Sequence, residues 1–335
     1  MMQKEAMLYK ALEDGKVQCH MCAHQCKIAP LQLGICGVRQ NMNGKLQTLV
    51  YAKAIAANVD PIEKKPLYHF LPGSQSYSIA AAGCNFKCVF CQNWNISQIS
   101  AKSGTIPGWE LVPQQVVAEA KKTGCASISY TYTEPTVFFE YAYDTAVLAK
   151  QAGLYNVFVT NGFMSRQVLD TINPYLDAAN VDLKSFKDEY YRKYCKGKLE
   201  PVLESIAYMK DLGIWVEVTT LVIPGENDSD AELNDIAAFI AQVDDNMPWH
   251  ISRFHPDYRF ADHSATPIET LKRAEEIGNE RGLRYVYLGN MLSNSDTHCH
   301  SCGKTLIERA YFSSTATGLK DGRCTSCGST TAGVW

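Results

Sequence analysis

Cys84, Cys88 and Cys91 occur in the run Ala-Gly-Cys-Asn-Phe-Lys-Cys-Val-Phe-Cys, with no fourth cysteine nearby. Three thiolates hold three corners of a four-iron cluster and leave the fourth iron open, whereas electron-transfer clusters are capped by four cysteines. An open iron is a place to bind and break a small molecule. The alternative is a zinc site completed by a distant ligand, but structural zinc more commonly takes its cysteines in pairs. The triad follows the strand-like segment Tyr77–Ala82 through Gly83. It therefore falls in the loop at a strand's C-terminal end, which ties the chain to folds that build their sites there.

From about Ser76 to Asn290 strand-like and helix-like segments alternate. Strands are expected at Tyr77–Ala82, Ser127–Thr133, Asn156–Thr160, Ala179–Lys184, Trp215–Ile223, His250–Phe254 and Arg284–Leu288. Helices are expected at Pro113–Lys122, Val137–Ala152, Arg166–Tyr175, Pro201–Leu212, Asp230–Gln242 and Ile268–Arg281. Repeated β-α units imply parallel strands with right-handed crossovers, so the fold class is α/β. A doubly wound sheet and a barrel both fit the alternation. The polar residues favour the barrel: Glu134, Asn161, Asp182, Lys184, Arg253 and His255 all lie at or beyond the C-terminal ends of strands. In a parallel barrel those ends converge on one mouth.

Three pieces are expected: a Cys-rich metal-binding extension over 1–75, the barrel over 76–290, and a metal-binding tail over 291–335. Within the extension, Met1–Gly15 reads as a short amphipathic helix, Leu46–Ala57 as further strands, and Pro61–Pro72 as an ordered loop carrying Glu63, Lys64 and Lys65. The 335 residues are 46% hydrophobic with a formal net charge of −3, which gives no electrostatic footprint for nucleic acid. No apolar run is long enough to span a membrane and the N-terminus has no apolar export signal, so a cytoplasmic location is expected.

The thirteen cysteines sort by spacing. Beside the triad stand Cys19, Cys22, Cys26 and Cys36, then Cys299, Cys302, Cys324 and Cys327, leaving only Cys125 and Cys195. Metal-ligand spacing without an export signal indicates metal chemistry and no disulfides. The C-terminal quartet, two Cys-x2-Cys pairs each followed by glycine, has the form of a four-thiolate zinc ribbon. The N-terminal quartet suits zinc, with His20 and His24 as substitute ligands, and equally an auxiliary iron–sulfur cluster.

Period-two alternation puts Tyr130, Tyr132 and Glu134 on one face of their strand. Glu134 is either an acceptor for a ligand ammonium or a salt-bridged rim carboxylate; the tyrosines read as packing first. Asp182 and Lys184 share a face of an apolar strand, where a charge pair is costly unless it meets a ligand or its own partner. Asn161 ends the third strand as a ligand contact or as a turn residue before Gly162. His250, Arg253, His255 and Tyr132 are the candidates for substrate chemistry, with structural roles as the alternative. Glu217 and Thr219 belong to the polar interior.

The triad with its flanks, Tyr-Thr-Glu-Pro, Asp-Leu-Lys and Val-Thr-Asn-Gly together resemble the activating-enzyme branch of the radical S-adenosylmethionine (SAM) superfamily, typified by pyruvate formate-lyase activating enzyme. Nearly the whole chain is similar to the radical SAM enzyme of the AmmeMemoRadiSam system. That likeness rests on Cys-His-Met-Cys-Ala-His-Gln-Cys-Lys-Ile, Asp-Pro-Ile-Glu-Lys-Lys-Pro-Leu-Tyr-His-Phe, Pro-Trp-His-Ile-Ser-Arg-Phe and the C-terminal cysteine pairs before Gly-Val-Trp. The resemblance implies a partial (β/α)6 barrel, a [4Fe–4S] cluster on Cys84, Cys88 and Cys91, and SAM cleaved to a 5′-deoxyadenosyl radical. It implies SAM contacts from Phe90 to adenine, from Glu134 to the methionine ammonium, and from Asn161, Asp182 and Lys184 around the ribose and carboxylate. Implied partners are an electron donor of the flavodoxin or ferredoxin type and Memo-like and AMMECR-like proteins. Activating enzymes usually carry Gly-Gly-Glu-Pro where this chain has Tyr132-Thr133-Glu134-Pro135, so the close backbone approach of the glycines is not expected here.

The expected activity is hydrogen abstraction from an amino-acid-like or protein substrate. A glycyl-radical-enzyme activase is the alternative within the class. A metal-bound interaction or redox-sensing module is the alternative outside it, and RNA modification is disfavoured by the acidic balance.

Overall fold

A computed structural model describes residues 4–291 and 295–335. Its centre is an eight-stranded sheet. We label the strands β1 (Ala56–Pro61), β2 (Gln75–Ala80), β3 (Ser127–Tyr130), β4 (Tyr155–Thr160), β5 (Ala178–Asp182), β6 (Trp215–Val222), β7 (Trp249–Arg253) and β8 (Val286–Gly289). Spatial order follows chain order throughout, and β2 to β8 pair parallel. A doubly wound sheet reverses its order at a switch point. This one never does, so it winds as a barrel winds, and β1 adds an antiparallel edge to β2. Six helices fill the crossovers: α1 (Pro113–Lys122), α2 (Phe139–Gln151), α3 (Arg166–Ile172), α4 (Glu200–Asp211), α5 (Asp230–Val243) and α6 (Ile268–Glu280). Six β/α units followed by a seventh parallel strand result.

Local chemistry accounts for the helix boundaries. Ser165 and Ser229 accept hydrogen bonds from Val168 N and Glu232 N at the starts of α3 and α5, and Pro113 begins α1 where a missing N–H costs nothing. The strands read as continuous buried runs because helices cover one face and the barrel interior the other.

The N-terminal extension is built of short strands. Lys4–Glu5, Lys45–Thr48 and Arg39–Met42 form one small sheet, and Tyr9–Ala11, Val17–Cys19 and Lys27–Ile28 another. The helix expected over Met1–Gly15 is not found among its described residues. Leu8 takes a left-handed φ of 52°, which breaks any helix, and the flanking residues pair as strands instead. Leu46–Ala57 does add strands, and the segment after Pro61 is an ordered loop that carries buried Glu63, Lys65 and His69.

That loop plugs the N-terminal end of the barrel. The Glu217 carboxylate accepts from Tyr68 N (2.9 Å), His69 N (2.8 Å) and Trp215 Nε1 (3.0 Å), with His250 Nε2 at 2.6 Å. Burial pushes His69 down to about 4, so its ring stays neutral between Ala332 O and the Tyr287 hydroxyl. The tail joins here: Arg309 donates to Tyr68 O, and Val334 bridges Phe70.

Extension and barrel are fastened by one buried ion pair. Arg39 donates from Nη1 and Nη2 to Glu140 of α2 at 2.9 and 2.6 Å, and Glu140 also accepts from Met7 N. Both side chains are almost fully buried. Removing one charge strands the other, which typically costs about 3–5 kcal/mol. Glu140→Gln should therefore lower unfolding stability by about that amount in urea titration, and Arg39→Met combined with Glu140→Leu should recover part of the loss.

Candidate active site

Strand β2 ends at Ala80, and Gly83 (φ 97°) turns the chain into the loop of the three cysteines. A side chain at 83 would collide with Val38 and with the Cys36 carbonyl, so the turn requires glycine. The loop is held by its neighbours. Lys87 N donates to Cys195 O, Val89 N to Tyr194 O, and Asn85 Nδ2 to Phe163 O. Cys84, Cys88 and Cys91 then line one cavity of about 520 Å³, within the range typical of small-molecule sites. Its walls include Phe90, Glu134, Asn161, Asp182 and Lys184. Five residues scattered over a hundred positions of sequence thus meet the triad.

Glu134 is almost fully buried and carries no cationic partner among the described residues. Its oxygens accept instead from Thr136 N (3.1 Å), Thr136 Oγ1 (2.5 Å), Thr160 Oγ1 (2.8 and 3.0 Å) and Asn161 N (2.9 Å). Burial pushes its carboxyl up, and these donors oppose the shift. A carboxylate offers about four lone-pair directions, so these donors fix its orientation on the cavity wall. Of the two readings of Glu134, the salt-bridged rim carboxylate does not match this geometry.

Asp182 and Lys184 satisfy each other at 2.8 Å while both line the cavity. Burial would lower the lysine, but Asp182 and the cysteines near it outweigh burial and hold its ammonium charged. Asn161 Nδ2 donates to Asn85 Oδ1 at 2.8 Å and reaches Cys84 Sγ at 3.8 Å, so it braces the cysteine loop directly. Phe90 packs near Tyr190 and Phe260 with one side on the cavity. Burial, then the Glu134 charge, pushes the Cys84 thiol well up. Bound iron would have to displace that proton.

Tyr132 departs from the strand pattern. Strand β3 stops at Tyr130, and Tyr132 has φ 61°, the conformation a glycine would take most easily. It therefore does not share a face with Tyr130, which is buried and donates to Asn156 Oδ1. The Tyr132 hydroxyl donates to Asp60, and its ring lies under the Lys65 ammonium at 4.5 Å. Asp60 also takes Lys64 (2.8 Å) and Lys65 (2.7 Å), and burial pushes Lys65 down to about 8. Tyr132, Lys64 and Lys65 all line the cavity.

The other substrate candidates stand elsewhere. His250 is the second residue of β7, so it sits at the plugged end with Glu217 and outside the cavity lining. Arg253 Nε is engaged by Thr266 O at 2.8 Å, and His255 is exposed beyond the strand. Neither lines the cavity; Ser252 and Thr219 do. Sequence reasoning did not single out Thr160, Thr136 or Ser252. A threonine within a strand carries no signal until its neighbour is known. Cys195 lies buried behind Cys88, also outside the lining.

In the tail, Cys299 and Cys327 sulfurs are 3.6 Å apart and Cys302 and Cys324 3.7 Å, with all four within 4.8 Å. This quartet can hold a metal ion. Among the described residues no helix is long and apolar enough to cross a membrane.

The profile of the Radical SAM superfamily matches residues 78–236. The uncharacterised protein MJ0808 of Methanocaldococcus jannaschii is 45% identical over 330 residues, covering 97% of this chain and 98% of the relative. The 4-hydroxyphenylacetate decarboxylase activating enzyme of Clostridioides difficile is 23% identical over 220 residues, covering 62% of this chain and 68% of that protein. Among solved structures, Streptococcus suis SuiB bound to S-adenosylmethionine aligns with a TM-score of 0.51 at 12% identity, covering 68% of this chain and 53% of that one. The last comparison bears on the fold alone.

Thr160→Val keeps the shape of its side chain but removes a donor from buried Glu134. A hydrogen bond to a charged group contributes about 1.5–3 kcal/mol, so the urea midpoint of Thr160→Val should fall accordingly while Thr171→Val, at a half-exposed helix position, changes little.

Proposed function

We propose that this chain, which belongs to the radical SAM superfamily, reductively cleaves SAM and uses the resulting 5′-deoxyadenosyl radical to take hydrogen from an amino-acid-like or protein substrate. The observation that carries this reading is the meeting of three thiols, an oriented buried carboxylate and a lysine–aspartate pair around one cavity. Cys84, Cys88 and Cys91 would hold a [4Fe–4S] cluster with one iron open, as the family implies. The reductive cleavage of a sulfonium is the chemistry that such a cluster supplies when bound.

The chain's own residues bind and orient. Glu134, oriented on the cavity wall by four donors and without a cationic partner among the described residues, offers its negative charge to the SAM ammonium in a charge-assisted contact. Lys184 offers its ammonium to the SAM carboxylate, and Asp182 accepts from the ribose. Phe90 gives the adenine an apolar wall. Asn161 acts one step back by holding the cysteine loop.

A glycyl-radical-enzyme activase is the second reading, favoured by the likeness to the decarboxylase activating enzyme. Membership of the AmmeMemoRadiSam subgroup rests on the cysteine, Asp-Pro-Ile-Glu-Lys-Lys and Pro-Trp-His motifs, and brings with it Memo-like and AMMECR-like partners. An electron donor of the flavodoxin or ferredoxin type would supply the electron. We assign zinc to the C-terminal quartet, since a zinc–sulfur bond of about 2.3 Å sets tetrahedral sulfurs about 3.8 Å apart.

Anaerobic reconstitution with iron, sulfide, dithionite and SAM should yield 5′-deoxyadenosine, and Cys84→Ala, Cys88→Ala or Cys91→Ala should abolish it. A verified cluster that produces none, even with candidate partners present, would sink the enzyme reading. Glu134→Gln should weaken SAM binding about 10- to 100-fold, the loss of one hydrogen bond to a charged group, as measured by equilibrium dialysis with the cluster intact.

A further inference from the structure

Cys19, Cys22, Cys26 and Cys36 surround one mainly apolar cavity. They reach it from different turns. Cys19 ends the strand Val17–Cys19, Cys22 bridges Met164 next to α3, Cys26 precedes Lys27–Ile28, and Cys36 follows Gly34. Cys19 N donates to Cys26 O at 3.0 Å, which draws two of the four turns together.

The chain contains its own comparison. In the C-terminal quartet the sulfurs stand 3.6 and 3.7 Å apart, the separation that four thiolates adopt around a single tetrahedral ion. Among the described residues that quartet alone is gathered tightly enough to hold a single ion, its four sulfurs lying within 4.8 Å of one another. The N-terminal sulfurs ring a space but do not close on a point. The triad is open in the same way. Thiolates on an iron–sulfur cluster bind separate iron atoms at the corners of a cube, so they stand further apart than thiolates on one ion.

A second observation is independent of these spacings. Arg39 also lines the cavity, is almost fully buried, and has an Nε–H without a partner although its two terminal nitrogens bind Glu140. An orphaned buried donor beside four thiolates is a ready partner for cluster sulfur, and such hydrogen bonds are among the levers that set cluster potentials.

We propose that Cys19, Cys22, Cys26 and Cys36 hold a second, fully capped [4Fe–4S] cluster, with Arg39 supplying a buried N–H and a compensating charge. The site lies against the triad loop. The Cys36 carbonyl lies 3.1 Å from where a Cβ on Gly83 would stand, Gly83 adjoins Cys84, and His24 contacts the Asn85 backbone. Ile35, half exposed, forms part of the wall on the solvent side. A cluster here would stand between solvent and the radical site, where a one-electron carrier is useful.

The test counts metal and does not depend on SAM chemistry. The triple variant Cys84→Ala/Cys88→Ala/Cys91→Ala, reconstituted anaerobically, should keep half the wild-type iron and sulfide, about four of each per chain, with a [4Fe–4S] EPR signal on reduction. Cys22→Ser/Cys26→Ser should also halve the iron, leaving the triad's share. Should the triple variant not fold, Mössbauer spectra of the wild type and of the second variant make the same count. Loss of all iron in the triple variant, or a second equivalent of zinc where iron was expected, overturns the proposal while leaving the reading of the triad untouched.

Discussion

Three sulfurs must face a common point, and their loop cannot achieve this alone. Between Gly83 and Cys91, Lys87 N and Val89 N donate to Cys195 and Tyr194 in the segment after β5, and the Asn85 side chain donates to Phe163 O after β4. Asn85 and Asn161 then pair side chain to side chain across the base of the loop. Each of these partners sits just beyond a strand, so the winding of the sheet determines where the cysteines point. The sheet's regularity serves as a jig for an irregular loop, a common division of labour between scaffold and site.

The barrel's other end is treated in the opposite manner. Glu217, His69, His250 and Tyr287 are buried there, yet they are consumed by one another and by backbone groups. Buried polar networks of this kind are stable only when complete, and they rigidify what they join. Here they join a loop from the extension, two strands and the tail. Glu134 and Lys184 also carry charge out of bulk water, but both line an open cavity. Burial alone does not separate a functional charge from a structural one; the space left beside it does.

Much of the fold was legible because each β/α unit carries its own signals. Ser165, Ser229 and Pro113 mark helix starts, and apolar runs mark strands buried on both faces. The cysteine loop and its Glu134, Asp182 and Lys184 neighbours were legible for a related reason, since strand ends in such a fold converge. His250 was a candidate by residue type alone; it stands at the start of β7, the end away from the cysteines, where Glu217 engages it. The extension was harder. A run such as Lys4 to Ala11 has no strong period, and its strands exist only because Lys45–Thr48 and Val17–Cys19 pair with them. The bond between Arg39 and Glu140 spans a hundred residues and leaves no local trace.

Tyr132 holds φ 61°, a torsion that glycine takes at no steric cost. A bulky side chain in that region costs about 1–3 kcal/mol and persists only when its surroundings over-determine it. Asp60 and Lys65 do so here, gripping the hydroxyl and the ring. The turn that leads into Glu134 is thus set by clamps from the edge strand and the loop after it, not by the residue's own preference. A tyrosine anchored from outside here does what a residue without a side chain would do unaided.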